Sequence, residues 1–180
     1  MRPFSLMSLF AALGLVFGAV GCDQLKTKSS QKADAIAVLT PTRDNTVNGV
    51  VRFLKTKDGI RVTAQVENLT PGKHGFHIHT FGDCSAPDAA SAGGHFNPLE
   101  KEHGSPDADM RHMGDFGNIE ADHTGRAILD VVDTVITLEG PDSIIGRSVI
   151  VHAQEDDLSS QPTGAAGARL ACGVIGYAAE

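Results

Sequence analysis

Short runs of alternating or β-branched residues, each closed by turn-forming residues, recur along most of this chain of 180 residues and leave room for little besides strands. They fall at 35–39, 47–54, 61–67, 74–79, 127–132, 148–152 and 172–177. Pro41, Asp44-Asn45, Asp58-Gly59, Pro71-Gly72, Thr124-Gly125 and Gly140-Pro141 punctuate them. With twenty glycines, no tryptophan and no long amphipathic helical period, the pattern predicts an all-β sandwich or barrel. Between positions 81 and 117 the alternation fails in a stretch rich in Gly, Pro, Asp and His. Irregular segments of that length inside a compact domain are usually functional.

The first 21 residues have the make-up of an export leader. Arg2 gives a short positive start, residues 4–20 form an uncharged apolar stretch, and Gly18, Ala19 and Gly21 precede Cys22. The pattern favours a lipoprotein signal, cleaved before Cys22 with lipid placed on that cysteine, although Ala19 stands where such signals more often carry Leu. An ordinary cleaved signal or an uncleaved anchor are the alternatives, since the apolar run only just reaches the ~18–20 residues of a membrane span. Residues 22–34 are polar and read as a flexible tether, and 35–180 has the size of one domain. Export puts that domain outside the cytoplasm, held to a bacterial membrane on its periplasmic or outer side. Without the leader the chain keeps 14 basic against 22 acidic side chains, a net charge of −8. Such a surface argues against nucleic acid as a partner and repels anions unless local cations reverse the field. With Cys22 set aside for lipid, Cys84 and Cys172 remain, either joined across nearly ninety residues or left as two buried thiols. An oxidising compartment favours the bridge.

His77, His79, His95, His103, His112, Asp115 and His152 supply more ligand than one metal ion uses, since zinc takes about four and copper(II) a similar number of nitrogens. Seven residues complete two sites only if one is shared, and His95 is central in the run. On a strand the rings of His77 and His79 project from one face while Phe76 and Ile78 enter the core. His152, closing another strand, offers a third nitrogen. His95, His103, His112 and Asp115 fall in the irregular stretch, where three nitrogens and a carboxylate suit tetrahedral zinc. That closed site would order a loop with little apolar content of its own, leaving the more open histidine site for chemistry. A lone loop histidine is more often solvated than ligating, and His123 beside a turn reads that way. His74 reads as orienting nearby backbone.

The stretches HGFHIHTFGDC (74–84), GGHFNP (93–98), KEHGSPDADMRHMGDFGN (101–118), IVHAQEDD (150–157) and GARLACGVIG (167–176) resemble the copper/zinc superoxide dismutase family, in its order and at compatible spacing. The resemblance implies an eight-stranded Greek-key β-sandwich or flattened barrel with long metal-binding loops. It implies copper on His77, His79, His95 and His152, and zinc on His95, His103, His112 and Asp115, with the His95 ring bridging both ions. It pairs Cys84 with Cys172, and makes Asp156 the carboxylate that links a copper histidine to a zinc histidine. The implied activity is disproportionation of superoxide to dioxygen and hydrogen peroxide. His95 would carry a proton, and Arg169 would attract and hold the anion beside copper. The loop before Arg169 is shorter than in eukaryotic members, lacks Lys and Glu, and has Ala165 where Asn is common, so long-range steering would come from another loop or be weaker. A metal buffer or carrier on the same fold, without turnover, is the rival reading; Arg169 and a bridging His95 favour the enzyme. A homodimer is compatible with the resemblance, and no apolar stripe in the sequence identifies its contacts.

Overall fold

The computed structural model describes residues 33–179. The leader, Cys22 and the tether up to residue 32 lie outside the described residues. Eight strands appear in chain order: β1 (Ala35–Pro41), β2 (Asn48–Thr56), β3 (Gly59–Glu67), β4 (Gly72–His79), β5 (Asp115–Ala121), β6 (Ala127–Asp133), β7 (Ser148–His152) and β8 (Arg169–Tyr177). They close a barrel in the order β1-β2-β3-β6-β5-β4-β7-β8, every pair antiparallel. The fold is thus the all-β, eight-stranded one expected. The crossover connections from β3 to β4 and from β6 to β7, which make β3 a neighbour of β6 and β4 a neighbour of β7, give the chain its Greek-key character, and closure leaves no sheet edge exposed. Asp34, the last residue of the stretch expected to be tether, is itself tied to the barrel: its N–H donates to the Phe53 carbonyl and its carbonyl accepts from the Ala178 N–H.

Alternation decides which side chains fill the barrel. Leu39, Val51, Phe53, Val62, Phe76, Ile78, Val149, Val151 and Ile175 meet in one core cluster. β5 is the strand whose start the sequence pattern placed inside the irregular stretch. Its sequence, Asp-Phe-Gly-Asn-Ile-Glu-Ala, opens on a buried aspartate, and Gly117 takes φ 63°, a left-handed conformation that suits glycine. Opposite it, β4 carries a bulge between Gly75 and His77. A strand broken in this way has no clean period of two.

β4 and β7 are buried on both faces, which a one-layer barrel wall ordinarily is not. His77 pairs with Ile150 in register, and Ile150 packs away from the main core, against Ala89, Ala92 and the Cys84–Cys172 pair. The outer surface of these two strands is therefore roofed by residues 80–114 and 153–168. A short 3-10 turn, Ala90–Ala92, lies within that roof.

The Cys84–Cys172 disulfide is formed, with a Cα–Cα distance of 5.8 Å and a sequence separation of 88. It fastens the roof to β8. Reducing it should cost about 4.6 kcal/mol by the chain-entropy relation for so long a loop. The check is the denaturation midpoint with and without reductant; an unchanged midpoint would show that the bridge adds no stability. Among the described residues no helix is long and apolar enough to cross a membrane.

Candidate metal centre

All seven anticipated ligands converge under the roof as two groups that share His95. His77, His79, His95 and His152 form one, and His95, His103, His112 and Asp115 the other; the ligand atoms within each group lie within 4.8 Å of one another. Every one of these residues is buried. The rings of His95 and His152, from a loop and a strand 57 positions on, have centroids 6.3 Å apart. The His79–His95 backbone bridge folds the loop back onto β4 and brings the shared ring into place.

Hydrogen bonds settle which nitrogen of each ring is left over. A carbonyl or carboxylate only accepts, so the ring nitrogen bonded to it carries the hydrogen and the other holds a lone pair. His79 Nδ1 donates to the Gly93 carbonyl (2.8 Å) and His152 Nδ1 to the Gly167 carbonyl (3.2 Å). Their two Nε2 lone pairs then face each other at 3.3 Å, a repulsive arrangement unless a cation lies between them. His77 Nε2 donates to Asp156 Oδ2 (2.7 Å) and His103 Nε2 to Asp156 Oδ1 (2.9 Å). His77 Nδ1, His103 Nδ1 and His95 Nε2 are left as buried atoms without a hydrogen-bond partner.

The second group is equally crowded. Asp115 Oδ1 stands 2.8 Å from His95 Nδ1, 3.0 Å from His103 Nδ1 and 3.3 Å from His112 Nδ1, and the last two rings' neighbour, His95, lies 3.4 Å from His112 by the same nitrogens. Metal–nitrogen bonds of about 2.0–2.1 Å at tetrahedral angles put ligand atoms ~3.3 Å apart. The second group and the His79–His152 pair of the first have about that spacing, and the donor types are those zinc and copper prefer. The residues present fit two metal ions.

Burial pushes His152 down to about 3 and His95 down to about 4, the latter against the raising effect of the Asp115 hydrogen bond. Burial likewise lowers His77 and His79. These rings are neutral near pH 7 and present lone pairs. His103 moves the other way: burial lowers it, but the carboxylates of Asp115 and Asp156 beside its ring prevail and raise it to about 9. Asp115 is held far below the usual carboxylate range, since His103, His112 and His95 outweigh the cost of its burial. The centre thus favours positive charge between two ionised carboxylates, which a divalent cation supplies on entering.

The sequence profile described as copper/zinc superoxide dismutase (SODC) matches residues 47–175. The chain is 49% identical to the Cu-Zn superoxide dismutase of Onchocerca volvulus over 157 residues, 81% of this chain and 97% of that one. It is 45% identical to the extracellular Cu-Zn superoxide dismutase of Brugia pahangi over 83% of this chain and 79% of that one. With Cu-Zn superoxide dismutase 5 of Dictyostelium discoideum it shares 47% over 72% and 90%. The chain belongs to the copper/zinc superoxide dismutase family.

Family membership directs attention to Arg169, a cation beside the four-histidine group. Arg169, half-buried at the start of β8, donates to the carbonyls of Ala89 (2.5 Å) and Gly93 (2.6 Å), and its peptide pairs with His152. The Gly93 carbonyl that orients His79 therefore also anchors Arg169. Other partners carried no signal in the sequence. Asn118 grips the backbone of Asp156, accepting from its N–H (2.8 Å) and donating to its carbonyl (2.9 Å). Buried Arg111 donates to the His112 and Asp115 carbonyls and to Asp133, tying the loop to β6. His74 Nδ1 donates to the carbonyl of His152 itself (2.8 Å), which agrees with its reading as a backbone orienter, and His123 is exposed.

Ala165, where the dismutase family commonly has Asn, adopts φ 52°. That left-handed conformation costs a residue with a Cβ roughly 1–2 kcal/mol and suits Asn or Gly better. Ala165→Asn should raise stability by about 0.5–1 kcal/mol, measured as an upward shift in melting temperature.

Proposed function

We propose that His77, His79, His95 and His152 hold copper, that His95, His103, His112 and Asp115 hold zinc, and that the His95 ring is shared. The observation that carries this is the pair of four-membered groups meeting at one imidazole, with buried lone pairs aimed inward. The activity is the disproportionation of superoxide into dioxygen and hydrogen peroxide. Copper, when bound, supplies the chemistry by alternating between two oxidation states, which zinc does not do.

The chain's own residues provide the rest. Arg169 gives fixed positive charge and two-pronged donation to a small anion in a molecule whose net charge is −7 over its full length. Two carbonyl anchors stop that side chain from wandering, so the anion meets a preset charge. His95 Nε2 is the nitrogen placed to hold the proton that the departing peroxide needs. Asp156 fixes the orientation of one ring from each metal set at once. Asp115, with both oxygens engaged, holds the zinc loop in shape: Oδ2 accepts from the His112 N–H (2.8 Å) and the Gly104 N–H (3.2 Å). A metal buffer has no need of an anchored Arg169.

Arg169→Glu tests the guidance role. The variant should turn over at least about 10-fold more slowly at low ionic strength, and the gap should narrow as salt screens the charge. Equal rates at every salt concentration would remove Arg169 from the path of the anion.

The same reading places the domain outside the cytoplasm, linked by residues 22–34 to lipid on Cys22, on a bacterial membrane facing the periplasm or exterior. The formed disulfide and a relative that is extracellular by name support export. A homodimer is the second part of this proposal. Val38 (58% exposed) on β1, Val174 (44%) beside it on β8 and Phe81 (56%) at the edge of the roof offer an apolar face for it. Native mass spectrometry of the exported protein reads both features: added lipid mass on Cys22 and a mass of two subunits support them, and an unmodified monomer would exclude them.

A further inference from the structure

Two carboxamides stand on either side of the Asp156–His103 hydrogen bond. Asn118 clamps the peptide groups of Asp156, and Gln161, from the loop before Arg169, clamps those of His103. Gln161 Oε1 accepts from the His103 N–H (2.8 Å) while its Nε2 donates to the His103 carbonyl (3.0 Å). That pairing has the reciprocity of a β-bridge, made by a side chain across 58 positions. His103 is therefore held at its backbone by Gln161 and at its ring by Asp156, and its Nδ1 is left no freedom except to point at Asp115. The loop comes close here because Gly164 is a glycine: a Cβ at that position would lie 1.8 Å from Asp156 Oδ1 and 2.7 Å from His103 Nε2. A second bond from Gln161 Nε2 to the Ser159 carbonyl (3.2 Å) ties the carboxamide to its own loop.

We propose that Gln161 is a positioning residue that governs how long zinc stays bound, by clamping the His103 peptide so that the zinc loop opens only when the loop before Arg169 lets go. This rests on His103 being a zinc ligand. The clamp gives the short loop, which has no Lys or Glu between 159 and 168, a task apart from electrostatic guidance. Outer partners of metal ligands typically contribute 10–100-fold in metal affinity. A pair of neutral hydrogen bonds belongs at the low end of that range.

The test uses the copper- and zinc-loaded protein, with zinc capture by a chromogenic chelator followed in time, and cobalt(II) in the zinc position as a spectroscopic reporter. Gln161→Met keeps side-chain length and volume but removes both bonds, and should release zinc or cobalt about 10-fold faster. Gln161→Glu, which still accepts from the His103 N–H, should fall between Met and wild type. Copper should leave all three proteins at rates within about 2-fold, because no copper ligand is bonded to Gln161. Zinc release from the Met variant at the wild-type rate would overturn the proposal. So would copper release accelerated by the same factor as zinc, since that reports general loosening. If the Met variant does not fold, wild-type release from the Glu variant overturns it equally. A wild-type protein that takes up no tetrahedral cobalt would instead defeat the zinc assignment of His103, and the clamp proposal with it.

Discussion

His152→Ala should leave a folded barrel that binds zinc and has lost dismutation, by more than the 10–100-fold that removal of an outer partner costs. The side chain ends β7 and points to the outer face, away from the main core cluster. Its removal therefore opens a hole under the roof without disturbing the packing of Val149 and Val151. What disappears is one of four inward lone pairs and the 3.3 Å approach of two Nε2 atoms. The His74 bond survives, because it is made to the carbonyl of residue 152. Copper content, the electron paramagnetic resonance signal of copper(II) and superoxide consumption should fall together, while the melting temperature of the zinc-loaded protein moves little. Full activity with normal copper content would refute the place of His152 in the copper set.

Asp115→Ala should have its largest effect on stability. The carboxylate is fully buried, meets three imidazoles through Oδ1 and receives two backbone N–H groups through Oδ2. Its loss strands the His103 cation and unties Gly104 from His112. Breaking a buried charge pair by removing one partner costs about 3–5 kcal/mol. At roughly 2–4 °C per kcal/mol for a domain of this size, melting should fall by about 6–20 °C even before metal is considered. Zinc should be lost as well, and proteolysis between positions 97 and 113 should accelerate. Zinc still bound with an unchanged melting temperature would count against this role.

The barrel and the histidines that cluster in it were legible in the sequence for a specific physical reason. Strand side chains alternate, so seven of the eight strands announced themselves, and His-x-His on a strand necessarily puts two rings on one face. β5 hid because Asp115 opens it, Gly117 bends it and β4 opposes it with a bulge. Asp156 was reached through family resemblance alone, since nothing in its local spacing marks a carboxylate that serves His77 and His103 from 79 and 53 positions away. Asn118, Gln161 and the Gly93 carbonyl were not legible at all. Each acts on a backbone group or through one, at a separation the chain reveals only when folded.

The oxygen of Gly93 is a common pivot for the His79 imidazole and the Arg169 guanidinium. Because both are tied to that single atom, two short hydrogen bonds fix the spacing between the ring and the guanidinium, and neither side chain can shift relative to residue 93 without breaking one of them.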